Sequence, residues 1–336
     1  MSNLKNILEP SAIAGIFTLG AWINRRADRY DRVHDPSRTP LLHEDESERE
    51  QDTYGEPGEA VVAETARLKP QLRFHSRWLA RYPFLLEIWY WLLIYWIYQG
   101  ARAVSARVIA NNKPIFQKAE HHAILLLSLE HYLHIDIELS AQQFILTKSP
   151  RLIGILASIY YSHIIVGVAF YVYSYTYLPR NRYQAFRRTL ALTNAIAFVI
   201  LSLWRCMPPR LLPSDYGFID VLHGENSGSA WTRNKFQLTI AAMPSLHFGN
   251  SAFLAFCLVV YSPHGFLRVV APLWPVVMGV TVVATANHFV LDMVVGIVLI
   301  ASAYYLNRVL LVLLPVERVL FRLIGLEKPR NAFDGK

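Results

Sequence analysis

Apolar runs at about 84–104, 152–178, 188–206, 246–262, 268–286 and 288–314 dominate the chain. Several reach the roughly 17–25 residues that cross a bilayer. Inside hydrocarbon the backbone must satisfy its own hydrogen bonds, so such a chain folds as helices. The expected fold class is all-α, a polytopic membrane helical bundle of about six transmembrane helices. Charge supports this: only 17% of the 336 residues are charged, against about 25% in soluble domains. The charges crowd into the first 83 residues, a few short loops and the C-terminal end.

The organisation follows from that unevenness. Residues 1–83 are expected to be a cytosolic, largely disordered tail, because "RTPLLHEDESEREQDTYGEPGEA" is acidic and punctuated by Pro and Gly. Within it "AIAGIFTLGAW" (12–22) is apolar, but "NRRADRYDR" follows instead of a small-residue cleavage site. That stretch reads as an interfacial helix or loose anchor. Residues 84–118 supply a first transmembrane helix and its connection, 119–315 the membrane core, and 316–336 a cytosolic tail. The run 119–146 carries too many charges to face lipid all round and reads as one amphipathic helix, at the interface or against the bundle. Its "EHYLHIDIE" does not put His131, His134, Asp136 and Glu138 on one ligand face, so no metal site is expected there. Glu130 and Glu138 are candidate buttresses of a neighbouring site.

The net charge of +8 suits basic loops beside anionic lipid, and no clustered basic face points to nucleic acid. Cys206 and Cys257 have neither metal-ligand spacing nor the numbers for a disulfide framework, and read as small core residues. With the N-terminus cytosolic, "PRNRYQAFR" (179–187) and the basic end from Arg308 fall on the cytosolic side. Loop 207–245 and the junction 286–288 then share the opposite face. Arg102, Arg107, Lys113 and Lys118 disagree with this orientation unless some of them serve a site there.

Two stretches carry chemistry: "AAMPSLHFGNSAF" (241–253) and "ATANHFVLDMVVG" (284–296). Each sets a histidine at the entrance of an apolar helix, on the same membrane face. Pro244 is expected in the first turn before His247. Helix N-termini suit anions. His288 and Asp292 are spaced to meet on one helix face, so the carboxylate fixes the imidazole tautomer and leaves the other nitrogen as a nucleophile. His247 is placed to protonate a leaving alkoxide. Ser245, Arg210, Arg205 and Lys235 are candidate phosphate-binding residues, with Arg233 beside Lys235. Asn287 and Thr285 are candidate caps of the last helix. Ionisable groups in membrane segments are costly and favour a functional reading over two isolated interface histidines.

At these residues the sequence resembles the type 2 phosphatidic acid phosphatase superfamily, most closely the branch containing fungal inositol phosphorylceramide synthases. "PSLH" resembles the family's second motif, "HFVLD" with Gly296 the third, and "MPPRLLP" with "YGFID" that branch's first. The resemblance spans about residues 120–315. It implies a six-helix core, His288 as nucleophile, Asp292 as its partner, His247 as acid, Ser245 and Arg210 on phosphate, and no metal or other cofactor. The implied function is a membrane lipid phosphotransferase or phosphatase with phospholipid or sphingolipid substrates, in a eukaryotic endomembrane with a lumenal active site. Two cations of the family pattern are missing: their positions fall on Leu203 and Val282. A non-catalytic lipid-binding or scaffold protein with a degenerate site is the competing reading.

Overall fold

The computed structural model describes residues 2–26, 74–109, 112–222 and 240–325. The acidic stretch expected to be disordered, together with Arg233, Lys235 and most of the C-terminal tail, lies outside the described residues.

In chain order the helices are α1 (Ser2–Ile23), α2 (Phe74–Arg81), α3 (Phe84–Ile109), α4 (Lys113–Tyr132), α5 (Glu138–Lys148), α6 (Pro150–Tyr177) and α7 (Arg180–Leu203). Then come α8 (Leu246–Tyr261), α9 (Gly265–Val270), α10 (Leu273–Ala284), α11 (Val290–Leu306) and α12 (Leu314–Ile324). Short 3-10 turns lie at Pro209–Leu211, Ser214–Tyr216 and Asn307–Leu313. Loops and turns join these helices, and among the described residues no strand forms; one isolated bridge links Cys206 and Ala241.

Four helical stretches are long and apolar enough to cross a membrane: Pro150–Tyr177, Arg180–Leu203, Gly265–Ala284 and Val290–Ile324. The protein is an integral membrane protein by this measure. Two of the six expected spans differ. The sixteen residues of α8 rise about 24 Å, short of the roughly 30 Å hydrocarbon core. The third helix α3 is long enough at 26 residues, but its many Trp and Tyr residues make it less apolar than the four. The last apolar stretch also runs on as helix past residue 315.

The N-terminal helix is not loose: one face packs on the bundle. Ile13 and Phe17 of α1 are buried with Phe84, Val168 and Val172. At Gly20 a Cβ would come within 2.8 Å of Phe84 and 2.9 Å of Val172. Asn24 Nδ2 donates to Thr176 Oγ1 at 2.9 Å, closing the far end of the contact.

The run 119–146 is two helices, not one. His134 adopts a left-handed backbone (φ 58°) between α4 and α5, which breaks the helix and turns α5 back toward the bundle. The core beneath the site is built from Ala119 and Ala123 of α4, Cys206, Met207 and Leu212 of the following loop, Ala242, and Phe289. At the other end of α6 a charged cluster closes the bundle. Buried Glu87 pairs with Arg180 at 2.9 Å and with Arg187, and accepts from Tyr183 Oη at 2.8 Å.

Candidate active site

Three segments outside the α-helices, 204–222, 240–245 and 285–289, are tied to one another and to α4 and α11 over the core through backbone hydrogen bonds. Met207 N donates to Ala119 O (3.1 Å), Arg210 N to Ala286 O (2.9 Å), Ala242 N to Cys206 O (3.0 Å) and Ser245 N to Asp292 O (3.0 Å). These bonds put the two histidine-bearing segments side by side. Helices α8 and α11 then cross at two glycines. A Cβ on Gly249 would sit 2.7 Å from the Gly296 carbonyl oxygen, and a Cβ on Gly296 would collide with the Ser245 carbonyl. Small residues at a crossing let backbones approach closely in membrane bundles. The result is a separation of 5.7 Å between the ring centroids of His247 and His288.

His288 is buried at 5% exposure. It lies before α11 and not on it, because Phe289 is the residue at the helix cap. The expected side-by-side meeting on one helix face is therefore replaced by a looser one. His288 Nδ1 is 2.7 Å from the Ala242 carbonyl oxygen and 3.5 Å from Asp292 Oδ2. Both neighbours are acceptors, so Nδ1 carries the hydrogen and Nε2 keeps its lone pair. The carbonyl of Ala242, absent from the sequence reading, is the closer of the two partners. Asp292 is fully buried, and its Oδ2 also accepts from Phe289 N at 2.9 Å.

His247 stands in the first turn of α8. Ser245 is the N-cap, its side chain accepting from Phe248 N, so Pro244 precedes the cap instead of occupying the first turn. The His247 ring stacks on Tyr160 of α6 (4.2 Å, 24°) and meets His163 edge-on (4.2 Å, 67°). Tyr160 carries no signal in the sequence, since an aromatic residue on an apolar helix looks like a lipid-facing or core position. His163 carries one, an ionisable ring inside an apolar run, but has no motif beside it.

Arg210 is held at the same place. Its Nε donates to Asn287 Oδ1 at 2.8 Å and it pairs with Asp220 at 3.0 Å. Asn287 in turn donates to Thr285 Oγ1 at 2.7 Å. Asn287 and Thr285 therefore orient Arg210 and end α10; they do not cap α11. Ala286 between them is left-handed (φ 51°), and that turn presents its carbonyl to Arg210 N. Arg205 is directed elsewhere: it donates to Ser105 Oγ of α3 at 3.0 Å, and its carbonyl is 2.7 Å from His122 Nδ1. The cations missing from the family pattern have no place at the site. Leu203 is 77% exposed at the end of α7, and Val282 is sealed in the core. Arg102 of α3 lies near enough to His247 and Tyr160 for its charge to act on both. Among the described residues no carboxylate pairs with it. The signal for Arg102 in the sequence was its disagreement with the orientation of the other basic residues.

A family model described as the PAP2 superfamily matches residues 124–306. The chain belongs to the PAP2 superfamily. The match takes in His247, His288, Asp292, Ser245 and Arg210, while α1, α3 and Arg102 lie outside it. Neither a curated protein nor a solved structure matches the chain. PAP2 membership supports a membrane-associated, lipid phosphatase-like enzyme acting on lipid phosphates.

Proposed function

We propose that the protein cleaves a lipid phosphate ester through a phosphohistidine on His288. The observation that carries this reading is the fixed tautomer of His288, with Nδ1 held by Ala242 and Asp292 and Nε2 left as a nucleophile. In the first step Nε2 attacks phosphorus, the P–N bond forms, and the ester P–O bond breaks. His247, 5.7 Å away by ring centroids, gives its proton to the departing alkoxide. In the second step a hydroxyl attacks phosphorus, its proton passes to His247, and the P–N bond breaks. Arg210, the Ser245 hydroxyl and the Leu246 and His247 amides of α8, which have no intrahelical acceptor, would hold the phosphate oxygens. Arg102 adds positive charge from α3.

The acceptor decides between phosphatase and phosphotransferase. With water the enzyme is a phosphatase; with a lipid hydroxyl such as that of ceramide, and phosphatidylinositol as donor, it is an inositolphosphotransferase, the reading that the sequence resemblance favours. The site would face the non-cytosolic side of an endomembrane, and Arg205, bonded to Ser105, would position the loop without binding phosphate.

The test is phosphate release and head-group transfer by purified full-length protein in mixed micelles, with EDTA present. Phosphatidic acid is one substrate; phosphatidylinositol plus ceramide is the other. Activity lost in His288→Ala, and indifferent to EDTA, supports the mechanism. Equal turnover by wild type and His288→Ala across a lipid panel would favour a scaffold protein instead.

A further inference from the structure

Behind Asp292 lie two carboxyl groups that the reaction does not use directly. Glu130 ends α4 and Glu138 begins α5, and the left-handed turn at His134 brings them together. Both are completely buried. Glu138 Oε1 accepts from Val290 N at 2.8 Å, and Glu130 Oε1 accepts from Leu291 N at 2.7 Å. With Phe289 N on Asp292, three successive amides at the start of α11 end on three different carboxylates. The other two oxygens, Glu130 Oε2 and Glu138 Oε2, are buried and receive no hydrogen bond from any donor among the described residues. The two carboxyl groups lie within hydrogen-bonding reach of one another.

Two buried carboxylates within hydrogen-bonding reach of one another, each with a donorless oxygen, cannot both be ionised without a large cost. We infer that Glu130 and Glu138 share one proton between their Oε2 atoms and act as positioning residues for the His288–Asp292 pair, clamping the start of α11. The shared proton fixes the pair at a single negative charge beside Asp292. Burial first, then the Glu138 and Asp292 charges, push the Glu130 acid up to about 9, against the lowering effect of the Leu291 amide. The same burial raises Glu138. The other titratable groups here are Asp292, His288 behind it, and Cys206, whose thiol is raised by burial and by the Asp292 and Glu130 charges.

The sign follows from the proton count. The folded state keeps a proton that the unfolded chain loses near pH 4.5, so stability falls as pH rises from there to about 9. A single Glu→Gln change at either position imitates the protonated member. Its Oε1 still caps α11 and its NH2 donates to the remaining carboxylate. In the double variant one amide must face the other NH2 or turn its NH2 toward a backbone N–H.

The positioning role rests on the proposed phosphohistidine reading; the shared proton does not. The experiment therefore follows full-length protein in micelles by thermal melting from pH 5 to 9.5, and separately by kcat and KM over the same range. Melting temperature of the wild type should fall with rising pH. Glu130→Gln and Glu138→Gln should flatten that slope and melt above wild type at pH 8, while the double variant melts far below either. Wild-type kcat should fall about tenfold per pH unit once the shared proton is lost, with KM little changed and the fall absent in the single variants. A pH-independent wild-type melting temperature, or a double variant equal to the sum of the singles, would overturn the shared proton. Single variants that keep the wild-type alkaline fall in kcat would overturn the positioning role. A wild type that melts as described but turns over no lipid phosphate would instead count against the proposed function.

Discussion

A Cβ on Gly249 would stand 2.7 Å from the carbonyl oxygen of Gly296. That approach sets the distance between the two histidines, because His247 precedes the first glycine by half a turn and His288 precedes the second by two. Gly249→Ala must push α8 and α11 apart, since the obstructing atom is backbone. The expected cost is about 1–3 kcal/mol of stability, together with a fall in kcat beyond what the folded fraction explains. Thermal melting alongside turnover per folded molecule separates the two effects.

Arg210 and Arg102 are expected to act on phosphate binding. Arg210→Ala should lower kcat/KM about 10- to 100-fold, the scale of a lost charge-assisted hydrogen bond. Arg102→Ala should lower it as well, chiefly through KM, with melting little changed because its partners among the described residues are only Gln99 Oε1 on the same helix and the Tyr98 ring. Steady-state kinetics on a lipid phosphate, with inorganic phosphate as a competing anion, measures both.

The Glu87 cluster should matter for folding alone. Removing Glu87 leaves Arg187 and Arg180 without their buried partner, a loss of about 3–5 kcal/mol for a broken buried pair. The cluster and the histidines lie toward opposite ends of α6: Tyr160 stacks on His247 and Tyr171 lies beside Glu87, about 16 Å apart along the helix axis. Glu87→Ala is therefore expected to melt much lower while keeping its turnover per folded molecule.

Ala286 holds a left-handed backbone (φ 51°) that costs a residue with a Cβ about 1–2 kcal/mol. Glycine removes that strain but frees the unfolded chain by about 0.4–1 kcal/mol. Ala286→Gly is thus expected to be neutral to slightly stabilising, and Ala286→Val strongly destabilising. Equilibrium melting of the two variants reads the difference.

The chemistry was legible where residue type and spacing coincide with a helix entrance. His247, His288 and Asp292 announce themselves because ionisable groups are rare beside apolar runs. The helical class follows from those runs directly. What escaped the sequence depends on backbone and on distant elements. The Ala242 carbonyl carries no side-chain signature, yet it is the nearest partner of His288 Nδ1. The break at His134 is a left-handed turn at a residue that ordinarily continues a helix, so 119–146 read as one segment. Asn287 read as a cap because it precedes α11, and only the fold reveals that three carboxylates already occupy those amides. Tyr160 hides among apolar neighbours on α6, while His163 gives the signal of an ionisable ring in an apolar run without a patterned partner beside it. The helix α1 reads as a loose anchor because its packing partners lie some 60 to 160 residues away on α3 and α6.

The most direct measurement of the central claim is covalent trapping. Full-length protein in micelles would be mixed with a lipid bearing radiolabelled phosphate, quenched in alkali within the first turnover, and mapped by proteolysis. The account predicts acid-labile, alkali-stable label on His288, absent in His288→Ala and longer-lived in His247→Ala, where the second step lacks its base. Turnover of the same lipid with no label on any histidine, or label on a residue other than His288, would contradict it.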